Sequence, residues 1–500
     1  MVCFINRKVL TFIIICTGFI TATGETRAES ADSNFTEKLV ELSSVPAGYS
    51  LIAESLVVSP DSKRIAYVSK KGGELVLSID SERDFSFSSV NKGFPIFSPD
   101  SKHTAAIVKK VGKWLVNHDG LDGRGFDAIG QVLFSPDSAR LAYVAQQNKK
   151  QFVLVNGKKG PEFDGIDRRS GLLFSPDSAR FAYQAIAGDK WFLILDGEKS
   201  PPYKKIGLKV FSPDSGHFAY TARKNKKWFL VTDGKESPPY DGVDAPVYSA
   251  DGKHLAYLVK HAGMLRIVLD GNDQKAFNAG GLMAFSPDSS RFVYTAKYGD
   301  FWYLIEKAEK QRKFDRIPLF VFSPDSQRMA YVGAKNDKWY AVLDGQKSRR
   351  RDAVGTILFS PDSKRVAYPV KTGPKILMVL DGQEGEAYDN LDPSFFSDNS
   401  RHFAYVAHIG KKKHMVLDGI RGPGYESVSQ PFFSPDSAHM AYMAAKDKEW
   451  FIIVDNVPFK PHIAGFLKNS AIVFDDPKHF HVLAIQKEKP EFVRLEVEIR

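Results

Sequence analysis

Between Leu208 and Val243 short apolar runs alternate with polar turns, and no stretch carries a stripe of helical period. Leu208-Lys209-Val210-Phe211 reads as a strand, and Ser212-Pro213-Asp214-Ser215 as a tight turn whose proline supplies the fixed φ of the first central position. His217 to Ala222 is a second strand carrying Phe218 and Tyr220. After the polar loop Arg223 to Lys227, the run Trp228-Phe229-Leu230-Val231 is apolar on successive residues, which predicts a third strand covered on both faces. Asp233-Gly234 marks a hairpin, and Pro238-Pro239-Tyr240-Asp241 leads into a fourth strand and the next unit.

This unit returns along almost the whole chain. Ser-Pro-Asp-Ser starts at Ser59, Ser98, Ser135, Ser175, Ser212, Ser286, Ser323, Ser360 and Ser434, and altered copies start at Ser249, Ser397 and Asp475, giving twelve units. From Ser175 to Ser434 the step is 37 residues seven times running, the mark of a repeat architecture. Four antiparallel strands that are apolar on both faces bury themselves by stacking on copies of themselves. The fold class is therefore all-β: a β-propeller of twelve four-stranded blades, with an elongated β-solenoid as the structural alternative. Typical propellers of about 4–8 blades point to two six-bladed rings. Against this, the steps from Ser212 through Ser249 and Ser286 to Ser323 leave no room for a linker between two discs, and one closed ring is preferred. Gly48 to Ile52 matches the fourth-strand pattern of the other units, such as Tyr240 to Val243, while the last unit ends after three strands. That N-terminal stretch is expected to close the last blade, with the propeller spanning 49–500.

The element Phe-Ser-Pro-Asp-Ser, then Arg, then Ala-Tyr, as in Phe174 to Tyr183 and Phe322 to Tyr331, resembles the WD40-like Pro-Asp propeller repeat of TolB-type periplasmic propellers and of prolyl oligopeptidase propeller domains. The resemblance covers about residues 49–500 and implies the fold but no particular activity. The fourth turn residue departs from the family, being usually Ser here where the family often has Gly. No separate N-terminal domain of the TolB kind is visible, so TolB's partners do not carry over.

Arg7 and Lys8, the apolar run Val9 to Ile20 and the small residues after it have the layout of a secretory signal peptide over 1–24, with cleavage after Gly24 or as late as Ala28. Residues 25–48 then form an N-terminal segment. The run is short of the roughly 20 residues of a spanning helix, so no transmembrane span is expected in the mature chain, which would be periplasmic or secreted. Both cysteines, Cys3 and Cys16, fall inside that signal, which excludes a disulfide or a thiolate in the mature protein. The formal charge of +10 drops to about +8 without the signal's two bases and favours acidic partners.

In a propeller the first and third turns of each blade share one face; the second turn and the blade-to-blade connection share the other. The second turns carry Lys110, Lys113, Lys150, Lys190, Lys224, Lys227, Lys338, Lys375, Lys411, Lys412 and Lys413, which are the expected partner-binding residues of a basic face. The opposite face is expected to be mixed, because Arg64, Arg140, Arg180, Arg291, Arg328 and Arg365 follow the first-turn aspartates. The partner would be a protein or an anionic glycan or lipid headgroup, bound by a monomer; the export signal disfavours nucleic acid. The plainer role of such lysines is to keep loops soluble and blade edges apart.

No Gly-x-Ser-x-Gly elbow, phosphate-binding glycine loop or His-Glu-x-x-His motif occurs, and no catalytic, cofactor-binding or metal residue is assigned. His217, His254, His402 and His439 stand in the arginine column and read as turn residues, while Asp119, Asp122 and Asp127 miss the calcium-loop spacing. The first reading is an exported non-catalytic scaffold that binds an acidic macromolecule. The alternative is an enzyme acting on an acidic or glycan substrate in the central channel.

Overall fold

The computed structural model describes residues 34–500 except 81, 92, 94, 170 and 488–490, so the signal-peptide and cleavage assignments lie outside the described residues. Twelve antiparallel sheets follow one another along the chain. Each blade is built of strands a, b, c and d in sheet order. In blade 8 these are Arg316–Phe322, Met329–Lys335, Lys338–Leu343 and Gln346–Lys347. Strand a is irregular: in blade 8 its register shifts between Arg316 and Leu319, and in blade 4 it is split into Gly165–Ile166 and Leu173–Phe174. Strand b is the most deeply buried, since its Ala-Tyr pair, such as Ala330 and Tyr331, faces a neighbouring sheet on each side.

Packing between sheets shows how the ring is arranged. Leu258, Ile267 and Phe277 of blade 6 and its connection form one core with Tyr294 of blade 7. Leu483 and Phe492 of blade 12 form another with Ile65 and Tyr67 of blade 1. Two six-bladed discs would instead set blade 6 against blade 1 and blade 7 against blade 12. The protein is a single twelve-bladed β-propeller.

The strand that latches the ring is not the one expected. Ser50–Leu51 pairs with Ser69 and Lys70 as strand a of blade 1, because the pattern it shares with the other units is that of strand a. Blade 12 takes its strand d from Phe35–Ser44, which runs antiparallel to Glu491–Ile499 from Phe35↔Ile499 to Ser44↔Glu491, with a bulge between Glu41 and Ser43. Phe35 is buried there, its ring 5.5 Å from that of Phe459.

The Ser-Pro-Asp-Ser turn joins strands a and b and does more than reverse the chain. In blade 7 the Ser286 hydroxyl donates to Asp288 Oδ1 at 2.6 Å and accepts the Arg291 N–H at 2.9 Å. The fourth residue reaches across to the preceding blade: Ser326 Oγ of blade 8 accepts the Asp288 N–H at 2.9 Å. The same serine bridge ties nine of the twelve blade boundaries. This accounts for serine where glycine would fit the backbone more easily, since Ser326 has φ 64°. Ser326→Ala keeps the strained backbone and orphans a part-buried N–H, at a cost of about 1 kcal/mol. Ser326→Gly loses the same bond but relieves the strain and should be milder by about 1 kcal/mol. Urea unfolding of the two variants checks this; a glycine variant less stable than the alanine one would refute it.

Candidate functional site

The second turns are two-residue hairpins with left-handed residues, at both central positions in Asn336-Asp337 and at the first alone in Asn225-Lys226, as types I′ and II′ require. Their lysines are therefore strand ends that face each other directly, Lys110 across from Lys113 and Lys224 across from Lys227. Like charges placed opposite each other destabilise a sheet unless they are neutralised.

The neutralising carboxylate stands at the start of the next blade. Asp127 Oδ1 accepts Lys113 Nζ at 2.6 Å and its Oδ2 accepts the Asn148 N–H at 2.9 Å. Asp164 does the same for Lys150 at 2.6 Å and Gly188 N at 2.7 Å, and Asp241 for Lys227 at 2.6 Å and Ala262 N at 3.0 Å. Asp352 serves Lys338 at 2.8 Å and Gly373 N at 2.7 Å, and Asp389 serves Lys375 at 2.6 Å and Gly410 N at 2.7 Å. Each carboxylate thus clamps the second turn of one blade to that of the next. The lysine hydrogen bond first, and the turn amide second, hold all five below the usual carboxylate range.

Lys110 pairs with Asp122, Lys190 with Asp189 at 3.7 Å, Lys224 with Glu236 at 2.6 Å, Lys412 with Glu426 at 3.8 Å and Lys413 with Asp392 at 3.3 Å. Ten of the eleven lysines singled out in the sequence are thus within reach of a carboxylate. Only Lys411 among them stands at an exposed tip with no carboxylate beside it. Other tips missing from that set, Lys149, Lys226 and Lys448, are exposed in the same way.

On the opposite face the base after the first turn meets a carboxylate of the third turn in its own blade in ten blades, while in blade 3 the third turn has Asn156 in place of a carboxylate. Arg328 Nε donates to Asp344 Oδ2 at 2.9 Å, and Asp344 Oδ1 accepts the Met329 N–H at 3.0 Å. Histidines replace arginine in five blades, as in His254–Asp270 at 2.8 Å and His402–Asp418 at 2.7 Å. This is the turn role expected of the column. Among the described residues Lys209 is the one lysine whose pKa is brought well down, to about 8, by burial, with the Asp167 charge working the other way. Its ammonium is committed to the Gly171 carbonyl at 2.8 Å.

A cleft of about 470 Å³ opens on the same face at the seam between blades 12 and 1. Its charges are mutually satisfied: Lys63 Nζ lies 2.8 Å from Asp475 Oδ1, and Glu496 takes Arg494 at 2.5 Å and Lys38 at 3.4 Å. His481, 1% exposed, has Nδ1 at 2.7 Å from Asp475 Oδ2 and Nε2 at 3.0 Å from the Asp61 carbonyl. It ties a seam where the last unit's Asp-Asp-Pro-Lys turn has Pro477 at the donor position and so offers Ser62 no N–H.

The fold is that of a β-propeller, and solved propellers are what the chain is similar to. A eukaryotic initiation factor matches at 13% identity over 64% of this chain and 94% of that one, with a TM-score of 0.35. The Dos1 propeller matches at 12% over 57% and 92%, with a TM-score of 0.28. The Cps50 (Swd1) β-propeller domain of Myceliophteria thermophila matches at 14% over 52% and 97%, with a TM-score of 0.24. No protein-family model matches the chain, and no curated protein does. Among the described residues no helix is long and apolar enough to cross a membrane.

Proposed function

We propose that this propeller is an exported, non-catalytic scaffold of the WD40-like Pro-Asp repeat type, which holds an acidic protein or glycan against the face bearing its second turns. The observation that carries this reading is the division of labour among the basic residues there. Lys113, Lys150, Lys227, Lys338 and Lys375 are used up in clamping blades together, whereas Lys149, Lys226, Arg350 and Lys411 are exposed with no carboxylate beside them; Lys446 and Lys448 are exposed too, and the Glu449 that faces Lys446 is taken by Lys460. Asp300, Asp337 and Asp447 are the unpaired acids of the same turns, which leaves an excess of positive charge for a partner. Every described carboxylate whose pKa departs from its ordinary value departs downward, the opposite of what a proton donor in a channel would need.

The test is retention on an immobilised polysulfated glycan, eluted with salt. The quadruple change Lys149→Glu, Lys226→Glu, Lys411→Glu and Lys448→Glu should abolish retention at roughly physiological ionic strength. Reversing Lys158, Lys235 and Lys307, exposed third-turn lysines of the opposite face, should leave it intact. Equal retention of the two variants would count against this face.

A further inference from the structure

Blade 2 breaks the repeat at one position. The residue before the third-turn aspartate closes strand c and is Ile, Leu, Val or Thr in nine blades, as in Ile79, Leu195, Thr232 and Leu343, and Glu306 in blade 7. In blade 2 it is His118, next to Asp119, and the base of the column in that blade is His103 rather than arginine. Two imidazoles and a carboxylate therefore converge on one turn.

His103 Nδ1 lies 2.6 Å from Asp119 Oδ2, and His118 Nε2 lies 3.5 Å from the same oxygen; one donor atom from each of the three residues falls within 4.8 Å of the other two. His118 Nε2 is shielded from solvent and has no hydrogen-bond partner. Its ring is wedged between His103 and Phe134 of blade 3, each with centroids 5.8 Å away. The other carboxylate oxygen, Asp119 Oδ1, accepts the Thr104 N–H at 2.7 Å, which orients the group from behind. Burial works to raise the Asp119 pKa, but the hydrogen bonds from His103 and the Thr104 amide outweigh it and hold the group ionised.

We propose that His103, His118 and Asp119 bind a divalent transition metal ion, with Zn²⁺ the best fit. Zinc–ligand bonds of about 2.0–2.2 Å in a tetrahedron set neighbouring donor atoms roughly 3.3 Å apart. The His118–Asp119 spacing of 3.5 Å is already close to that, and the His103–Asp119 hydrogen bond opens by less than an ångström to admit the ion. Two nitrogen donors exclude the oxygen-seeking Ca²⁺ and Mg²⁺. The three side chains are 43%, 44% and 39% exposed, so the fourth position faces solvent and takes water or a donor group from a bound partner. The other histidine–aspartate pairs, such as His254–Asp270, have the first imidazole and the carboxylate but an apolar residue or threonine in place of the second imidazole.

Tag-free full chain is titrated with Zn²⁺ by calorimetry, and with Co²⁺ for its visible absorption. One ion per chain is expected, with a tetrahedral Co²⁺ band. His118→Leu installs the residue the repeat uses at this place, so the blade should fold, as far-UV circular dichroism and the thermal transition would register. It should weaken Zn²⁺ binding at least about 100-fold, the upper scale for losing a mere outer-shell partner. His254→Arg, also a residue the column uses, should leave binding unchanged. Absence of binding at micromolar Zn²⁺, binding that survives His118→Leu, or a stoichiometry near one ion per histidine–aspartate pair would each overturn the proposal.

Discussion

A chain lacking residues 35–44 should unfold at a markedly lower temperature than the full-length protein and should self-associate. The segment makes nine residue pairs with Glu491–Ile499. Burial of Phe35 and Leu42, at about 1.5–3 kcal/mol each, is lost together with the backbone ladder. Without the latch, strand c of blade 12 becomes an open edge that carries Phe492, Val493, Leu495 and Val497, a template for pairing with a second chain. A graded version is Phe35→Ala, expected to cost about 3–5 kcal/mol. Thermal unfolding with size-exclusion chromatography reads both effects, and a synthetic peptide spanning the deleted residues should restore the transition when added in trans. An unchanged transition in the deletion would show that the ring holds without its latch.

Acid should dismantle the ring through its first turns. The serine hydroxyl first, then the backbone N–H two residues on, depress the turn aspartates, including Asp137, Asp177, Asp325 and Asp362, with Asp251 and Asp288 brought to about 2. A carboxylate whose pKa is lower in the folded than in the unfolded chain stabilises the fold fully above the unfolded value, near 3.8, and loses that contribution as pH falls through the folded value. Stability should hold steady from about pH 7 down to about pH 5 and fall steeply between about pH 4 and pH 2. His479, raised chiefly by its hydrogen bond to Asp476, acts in the opposite sense, its contribution being lost as pH rises through its folded pKa. The chain contains its own control in blade 10, where Asn399 accepts Ser397 Oγ at 2.8 Å and the Arg401 N–H at 3.0 Å with no charge. Asp251→Asn with Asp288→Asn should therefore fold and flatten the drop. A profile as steep as that of the unmodified chain would place the acid-sensitive groups elsewhere.

The blades were legible because a 37-residue period with a proline turn and an Asp-Gly hairpin at set offsets admits few other readings. The latch was missed for a physical reason. Strand d is two residues long in most blades, so the template held no ten-residue strand like Phe35–Ser44, and neither turn motif flanks it. The lysine column was half legible. The lysines line up as read, but their partners sit fourteen residues downstream, as Lys113 and Asp127 do, in a connection that a search for positive charge passes over. His118 was invisible to a reading that averages over repeats, since it is an exception in a single blade.

The serine bridges are absent at two boundaries where nothing of their kind replaces them. At blades 5 and 6 the turn has Gly252, and the Asp214 carboxylate lies 2.3 Å from where a Cβ would stand; at blades 11 and 12 the turn has Lys478. Blades 1 to 5 and blades 6 to 11 are thus each bridged without interruption. The two gaps lie six blades apart in a ring of twelve, at the ends of a diameter. At blades 5 and 6 the Lys227–Asp241 clamp on the far face is kept. The serine bridges therefore divide the first-turn face into two arcs, and at both gaps the blades are held by their apolar cores instead.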